Sequence, residues 1–388
     1  MAEDKITELL TRSVDRIYPS RETLEKVLHS GKKLKLYQGF DPTGDKLHLG
    51  HMVGLKKLAA WQALGHHVIF LIGDFTAMVG DPSGKFSTRK ILTHQETLAN
   101  ARAYKEQASK ILKFDGNNPA EVFFNGDWLG KLTAIEFLKI AGNLTYSQMV
   151  ARDMFQERMK QNQDIYINEF LYPVMQAYDS VAMDIDLEIG GKDQTFNMLM
   201  GRKLMRNMLK KEKFVITTKL LEDSQGVKIG KTEGNAIALD DKPEDLYGKI
   251  MAFPDEAIAQ CFEFFTTLPM NEIPVGNPLE AKKKLAFEIV KDLNDEEKAK
   301  KARSFWENTF QKRETPEDIM EVSLEEGMTL MDILVLHEIV SSKSDFRRLI
   351  KEGAITDLNT DETVRDLQIV PEPGTKFRIG KHRFVRVN

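Results

Sequence analysis

Apolar positions in the first 75 residues come as two short unbroken runs separated by a longer stretch with helical periodicity. Leu34 to Phe40 (LKLYQGF) and His67 to Gly73 (HVIFLIG) have the length and composition of strands. Between them, after the turn DPTG, Leu49, Met52, Val53, Leu55, Leu58, Ala59 and Trp61 recur at helical spacing from His48 to about Leu64, and Gly65 supplies a stop. Strand, helix, strand is a βαβ unit, which predicts parallel strands joined by a right-handed crossover. The pattern returns with a helix over Tyr166 to Met183, a strand over Ile185 to Gly191, a helix over Asp193 to Leu209 and a strand over Phe214 to Leu221. The two halves predict one layered α/β domain over 1–245. An insertion at about 91–164 interrupts it, mostly polar helical segments with a strand, EVFFNG, near Phe123.

After Pro243 the pattern turns helical and charged, which predicts an α-helical domain over 246–325. From Met328 an apolar helix (TLMDILVLHEIV), the segment SSKSDFRRLIKEGAI and the strand-like pieces TKFRIG and HRFVRV predict a small α+β domain over 326–388. A length of 388 residues agrees with two or three domains. The formal net charge of -4 argues against coating nucleic acid by bulk electrostatics, so any RNA contact must come from a local basic surface. One cysteine, Cys261, excludes an intramolecular disulfide and a zinc site of ordinary spacing. The charged N-terminus lacks a signal peptide's apolar stretch. The longest apolar run, around Val68 to Ile72, has the length of a buried strand. A cytoplasmic protein that does not span a membrane is expected.

Candidate chemistry begins with HLGH, His48 to His51, just past the first strand and at the start of the helix. Two imidazoles there can donate to phosphate oxygens, the helix N-terminus adds amide donors, and Gly50 lets a nucleotide approach the backbone. Ligands of open α/β sheets bind beyond the carboxyl ends of the strands, which is where this turn falls. Taken alone, HxGH also arises by chance. KIGKT, Lys228 to Thr232, follows the last predicted strand and offers two lysines and a hydroxyl on a loop. It suits a mobile clamp on the pyrophosphate of ATP, and equally a solvated basic loop. GDPSGK, Gly80 to Lys85, is not a Walker loop, because its glycines stand one residue too close.

In this order, HLGH and KIGKT resemble the HIGH and KMSKS signatures of class I aminoacyl-tRNA synthetases. KIGKT departs from KMSKS where isoleucine, glycine and threonine replace methionine and the two serines; both lysines remain. YQGFDPTGDKLHLGH (Tyr37 to His51), GDPSGK, and YPVMQAYD followed by IGGKDQ (Tyr172 to Gln194) are similar to the tyrosyl-tRNA synthetases in order and spacing over nearly the whole chain. The resemblance implies a Rossmann-like catalytic domain, ATP and L-tyrosine as substrates, tRNA(Tyr) as partner, and a homodimer with the insertion at its interface. Magnesium is expected on the ATP phosphates without dedicated protein ligands.

A phenolic substrate needs partners for its hydroxyl, and Tyr37 with Asp179 can supply a donor and an acceptor. The tyrosyl enzyme is itself the general example of a polar pocket that rejects phenylalanine by leaving such groups unpaired. Tyr172, Gln176 and Asp179 stand at i, i+4 and i+7, one face of a helix. By resemblance, Tyr172, Gln176 and Asp81 accept the substrate ammonium, and Gln194 serves the carboxylate region. The resemblance places Gly191 and Asp193 at the ribose, Asp41, Thr43, His48, Gly50 and His51 about the ATP phosphates, and Lys85, Arg89, Lys228, Lys231 and Thr232 at the pyrophosphate. His48, His51, Lys228, Lys231 and Thr232 then carry the chemistry. Gln38, where many relatives have a small residue, and KDQT, in place of SDQW, depart from the family pattern.

The tail resembles the small RNA-binding fold of the ribosomal S-four type. Its helix bears Lys343, Arg347, Arg348 and Lys351, and the last 16 residues carry five Lys or Arg without an acid. Such a surface suits structured RNA, not DNA. Three rival readings stand beside this one: a tryptophanyl-tRNA synthetase, a nucleotidyltransferase using HxGH on another substrate, and an RNA-binding protein with a degenerate synthetase core.

Overall fold

Val68 to Ile72 are all buried, on both faces of their strand, as expected for the centre of a parallel sheet covered on both sides. The computed structural model describes residues 2–81, 93–222, 237–274, 276–311, 319–323, 327–360, 362–380 and 383–388. Within them the chain separates into two compact units, 1–241 with 253–294, and 242–252 with 295–388. The helical stretch after Pro243 is thus shared between the units. Among the described residues no helix is long and apolar enough to cross a membrane.

The first unit is built on a six-stranded sheet of β1 (Val14–Tyr18), β2 (Lys35–Phe40), β3 (His67–Ile72), β4 (Glu121–Phe124), β5 (Leu187–Gly191) and β6 (Phe214–Thr218), in the order β1-β6-β5-β2-β3-β4. All neighbours are parallel except β1, which runs antiparallel to β6. The architecture is α/β and Rossmann-like. In this sheet two strands differ from the sequence expectation. The edge strand β1 has no alternating apolar pattern and was not expected; it pairs through its backbone, Ile17 opposite Ile216. EVFFNG, expected inside an insertion, supplies β4, which pairs with β3 and belongs to the main sheet.

β2 and β5 are neighbours, and the chain leaves β2 toward β3 on one side and β5 toward β6 on the other. This is the topological switch point at which open α/β sheets bind ligands. Three helices border it: α1 (Leu49–Ala63), α2 (Ile167–Ala182) and α3 (Thr195–Leu204). The single helix expected over 193–209 is a short 3-10 turn, then α3, then a π-helical turn over Met205–Leu209. Arg12 ties the 253–294 segment to this unit by donating to the carbonyls of Phe262 and Glu263 in the last turn of the Ile258–Phe265 helix and of Leu268 just past it. Lys56 of α1 pairs with Asp292 at 2.5 Å.

The second unit carries a mixed five-stranded sheet of β7 (Met320–Val322), β8 (Ile355–Asp357), β9 (Glu362–Thr363), β10 (Lys376–Ile379) and β11 (Arg383–Val387). Phe377, Ile379, Val385 and Val387 point into one core with Leu330, Ile333, Phe346 and Leu349. The helix expected over TLMDILVLHEIV stops at Leu336, because Glu338 takes φ 55° and turns Ile339 and Val340 into that core as non-helical residues. On the Lys343–Lys351 helix Phe346 and Leu349 are buried, while Lys343, Arg347, Arg348 and Lys351 are exposed. Arg348 pairs with Asp345 and Glu352, and Lys343 with Asp332.

Candidate active site

A cavity of about 460 Å³ opens at the carboxyl ends of β2 and β5. It is lined by every proposed site residue of the first unit that lies among the described residues: Tyr37, Asp41, Thr43, His48, Gly50, His51, Asp81, Tyr172, Gln176, Asp179, Gly191, Asp193 and Gln194. Lys85, Arg89, Lys228, Lys231 and Thr232 lie outside the described residues. The chain on either side of KIGKT does border the site. Leu220 and Leu221 line the cavity, and Ile237 to Leu239 pair with the HLGH turn, the Leu49 N–H donating to Ile237 O and the Leu239 N–H to Leu47 O. The HLGH turn and a segment about 190 residues further along the chain are therefore joined through backbone next to the cavity.

HLGH forms the N-terminal cap of α1. The His48 backbone is extended, and its Nδ1 accepts the Gly50 N–H at 3.1 Å; the Nδ1 of His51 accepts the His48 N–H at 3.1 Å. The rings stack with centroids 3.9 Å apart. Because both Nδ1 atoms accept, a neutral ring at either position carries its proton on Nε2, so both present an N–H donor of the kind a phosphate oxygen takes. A Cβ on Gly50 would lie 2.9 Å from the His48 ring. The glycine therefore makes room for the cap, whatever it does for a nucleotide.

At the other end, α2 presents Tyr172, Gln176 and Asp179 on one face. Tyr172 OH donates to Asp41 at 2.8 Å, and Gln176 Nε2 donates to Glu188 at 3.2 Å. Tyr37 and Asp179, expected to share one substrate hydroxyl, do not bond each other. Tyr37 OH and Ser180 Oγ are 3.0 Å apart, while Asp179 accepts from Trp128 Nε1 at 2.8 Å and Asn125 Nδ2 at 3.3 Å. Burial pushes the Asp179 carboxyl well above the usual carboxylate range against these two donors, with Glu188 and Asp41 adding to the shift. Burial likewise raises the phenols of Tyr37 and Tyr172, so both are neutral donors at neutral pH. Asp81 accepts from Gln194 Nε2 at 2.6 Å, and Asn197 donates to Gln194 Oε1, which fixes that amide.

Sequence reasoning missed Asn125, Trp128, Ser180 and Glu188. Glu188 left a signal: a carboxylate in the middle of the apolar strand IDLEIGG. Asn125 directly follows β4, and only the pairing of β4 with β3 brings it to the site. Gln38, noted as a departure from the family pattern, lines the cavity and lies over Gly54 of α1, where a Cβ would meet its Oε1 at 2.0 Å.

Residues 29–311 match the family of class I tRNA synthetases for tryptophan and tyrosine. The chain is 39% identical to the tyrosine–tRNA ligase of Thermotoga maritima over 100% of its own length and 98% of the relative's, and 42% identical to that of Desulfotalea psychrophila over 94% and 92%. This chain belongs to the tyrosyl-tRNA synthetase family. Among solved structures, the C-terminally truncated mitochondrial tyrosyl-tRNA synthetase of Aspergillus nidulans superposes with a TM-score of 0.68 at 25% identity, over 79% of this chain and 94% of that one. The tyrosyl-tRNA synthetase of Archaeoglobus fulgidus, solved with L-tyrosine, shares the fold with a TM-score of 0.61 at 22% identity, over 78% and 100%. As a tyrosine–tRNA ligase family member, the chain is an aminoacyl-tRNA synthetase with a class I sheet, and ATP is the family's substrate.

Proposed function

We propose that tyrosine occupies the α2 side of the cavity and ATP the HLGH side. The tyrosine carboxylate attacks the ATP α-phosphorus in line, the bond to the β-phosphate oxygen breaks, and tyrosyl-adenylate and pyrophosphate form. The terminal ribose hydroxyl of tRNA(Tyr) then attacks the tyrosyl carbonyl and releases AMP. No side chain acts as nucleophile, so catalysis rests on positioning and on stabilising charge in the transition state. The observation that carries the reading is one cavity lined by a phenol and buried carboxylates at one end and by two histidines, both oriented as Nε2 donors, at the other.

In this reading Tyr37 and Asp179 bind the phenol, and Tyr172, Gln176 and Asp81 receive the ammonium beside Gln194. Gly191 and Asp193 hold the ribose, and Asp41, Thr43, His48, Gly50 and His51 lie along the phosphates. Lys85, Arg89, Lys228, Lys231 and Thr232 take the departing pyrophosphate. Magnesium arrives on the nucleotide phosphates. The helical part, 246–325, serves the anticodon; the S-four type tail, 326–388, meets RNA through Lys343, Arg347, Arg348 and Lys351, which are all exposed. A homodimer is supported by the exposed apolar side chains Ile135, Leu138, Tyr146 and Ile167, each 60% exposed or more.

The test is ATP–pyrophosphate exchange by the purified chain with tyrosine, tryptophan, phenylalanine or no amino acid. Exchange with tyrosine alone is expected. Exchange with tryptophan in its place, or with none of them, overturns the reading.

A further inference from the structure

Lys213, at the edge of β6, is 0% exposed. Its ammonium donates to Ser180 Oγ at 2.8 Å and pairs with the Glu188 carboxylate. Desolvation pulls its basicity down and Glu188 opposes that fall. A buried ion pair of this kind is often no more stable than an apolar replacement, so stability alone is a weak reason for it. The room is specific as well: a Cβ on Gly201 of α3 would lie 2.6 Å from Lys213 Nζ and 3.0 Å from Ser180 Oγ.

Two short hydrogen-bonded arms run from this cation to the cavity. Ser180 Oγ lies 3.0 Å from Tyr37 OH, and the second Glu188 oxygen accepts from Gln176 Nε2 at 3.2 Å. Tyr37, Gln176 and Glu188 all line the cavity. We propose that Lys213 is a positioning residue for the amino-acid pocket, holding Ser180 and Glu188 from behind and thereby fixing the Tyr37 hydroxyl and the Gln176 amide.

The polarity follows from the donor inventory. Lysine only donates, so Ser180 Oγ and the Glu188 carboxylate both act as acceptors toward it. The Ser180 proton then has the Tyr37 oxygen at 3.0 Å and Glu188 Oε2, which also accepts from Lys213, at the longer 3.4 Å. Given to Tyr37, it leaves the phenol O–H, which also faces the Glu188 carboxylate, to donate to a ligand. Tying the Gln176 NH2 to Glu188 leaves the Gln176 Oε1, buried and without a protein partner, as an acceptor for an ammonium. Without the cation, Glu188 would compete for the Tyr37 and Ser180 protons.

The inference rests on the reading that tyrosine occupies this cavity. The test uses pyrophosphate exchange by the full chain, with KM for tyrosine and ATP and the inhibition constant of phenylalanine. Three proteins are compared: wild type, Ser180→Ala, and Lys213→Met/Glu188→Gln, which removes both charges together. In Ser180→Ala the tyrosine KM is expected to rise about tenfold, while the phenylalanine inhibition constant and the ATP KM stay within about twofold, because only the phenol arm is cut. In the double variant tyrosine and phenylalanine both weaken about tenfold and ATP again does not, because the ammonium arm is cut too. An unchanged tyrosine KM in Ser180→Ala or in the double variant, or equal losses for tyrosine, phenylalanine and ATP, overturns the proposal. If the double variant does not fold, Lys213→Arg, which keeps the charge but moves the donor, takes its place with the same expected rise in tyrosine KM at constant ATP KM, and an unchanged tyrosine KM there overturns it. Wild type without tyrosine-dependent exchange would instead overturn the functional reading and this inference with it.

Discussion

His51 accepts the backbone N–H of His48 through its Nδ1 at 3.1 Å, while His48 caps the same helix by accepting from Gly50. The histidine pair is thus a capping box as well as a candidate phosphate site, and a substitution acts on both. His48→Asn keeps a cap acceptor, whereas His48→Ala removes cap and donor together. The alanine variant is expected to lose about 1 kcal/mol of stability that the asparagine variant retains. Both should slow adenylate formation. Denaturant melts beside single-turnover kinetics separate the two effects, and equal stability of the variants would count against the cap.

Asp179 uses each carboxylate oxygen for a different donor, Oδ1 for Trp128 and Oδ2 for Asn125. An asparagine has one acceptor and must turn its NH2 against one of them. Asp179→Asn is expected to cost about 1–3 kcal/mol and to weaken tyrosine binding. Calorimetric melting and tyrosine titration check it; a variant as stable as wild type would show that the pair of donors does not matter.

Gly54 and Gln38 form a size-matched pair in the described cavity wall. In an exposed helix interior, glycine to alanine gains about 1 kcal/mol. Here the new Cβ would displace the Gln38 amide, so Gly54→Ala should give no gain in wild type and about that gain in a Gln38→Ala background. A double-mutant cycle of unfolding free energies tests this, additivity being the adverse result.

His66 packs edge-on against Trp61, and its Nδ1 accepts the Leu34 N–H at 3.0 Å, which only a neutral ring can do. Burial, with Lys33 adding, lowers its pKa from 6.5 to about 4. Between those values the unfolded chain binds the extra proton and the folded one does not, so stability falls as pH drops from about 6.5 to about 4. His66→Asn offers an acceptor that does not titrate. It should flatten that limb by up to one proton, or at most about 1.4 kcal/mol per pH unit. Melts across the window decide it; parallel wild-type and variant profiles would reject the assignment.

Much of the site was legible in the sequence. The i, i+4, i+7 spacing of Tyr172, Gln176 and Asp179 places them on one face because helical geometry is local, and HLGH starts a helix because its residues cap it. The unbroken run HVIFLIG has the length and composition of a strand buried on both faces. The backbone pairing of β1 left no such periodic trace. The membership of β4 in the main sheet depends on a partner, β3, some fifty residues away. Nor could spacing reveal that Tyr37 answers to Ser180 and Asp179 to Trp128 and Asn125. By itself the sequence determined most of the elements, the parallel pairing of β2 and β3 and the residue types gathered for the chemistry, since these follow from local propensity and period. Only the tertiary structure decided which donor meets which acceptor. A hydrogen bond is settled by distances of about 3 Å between atoms distant in the chain, and packing alone sets those distances.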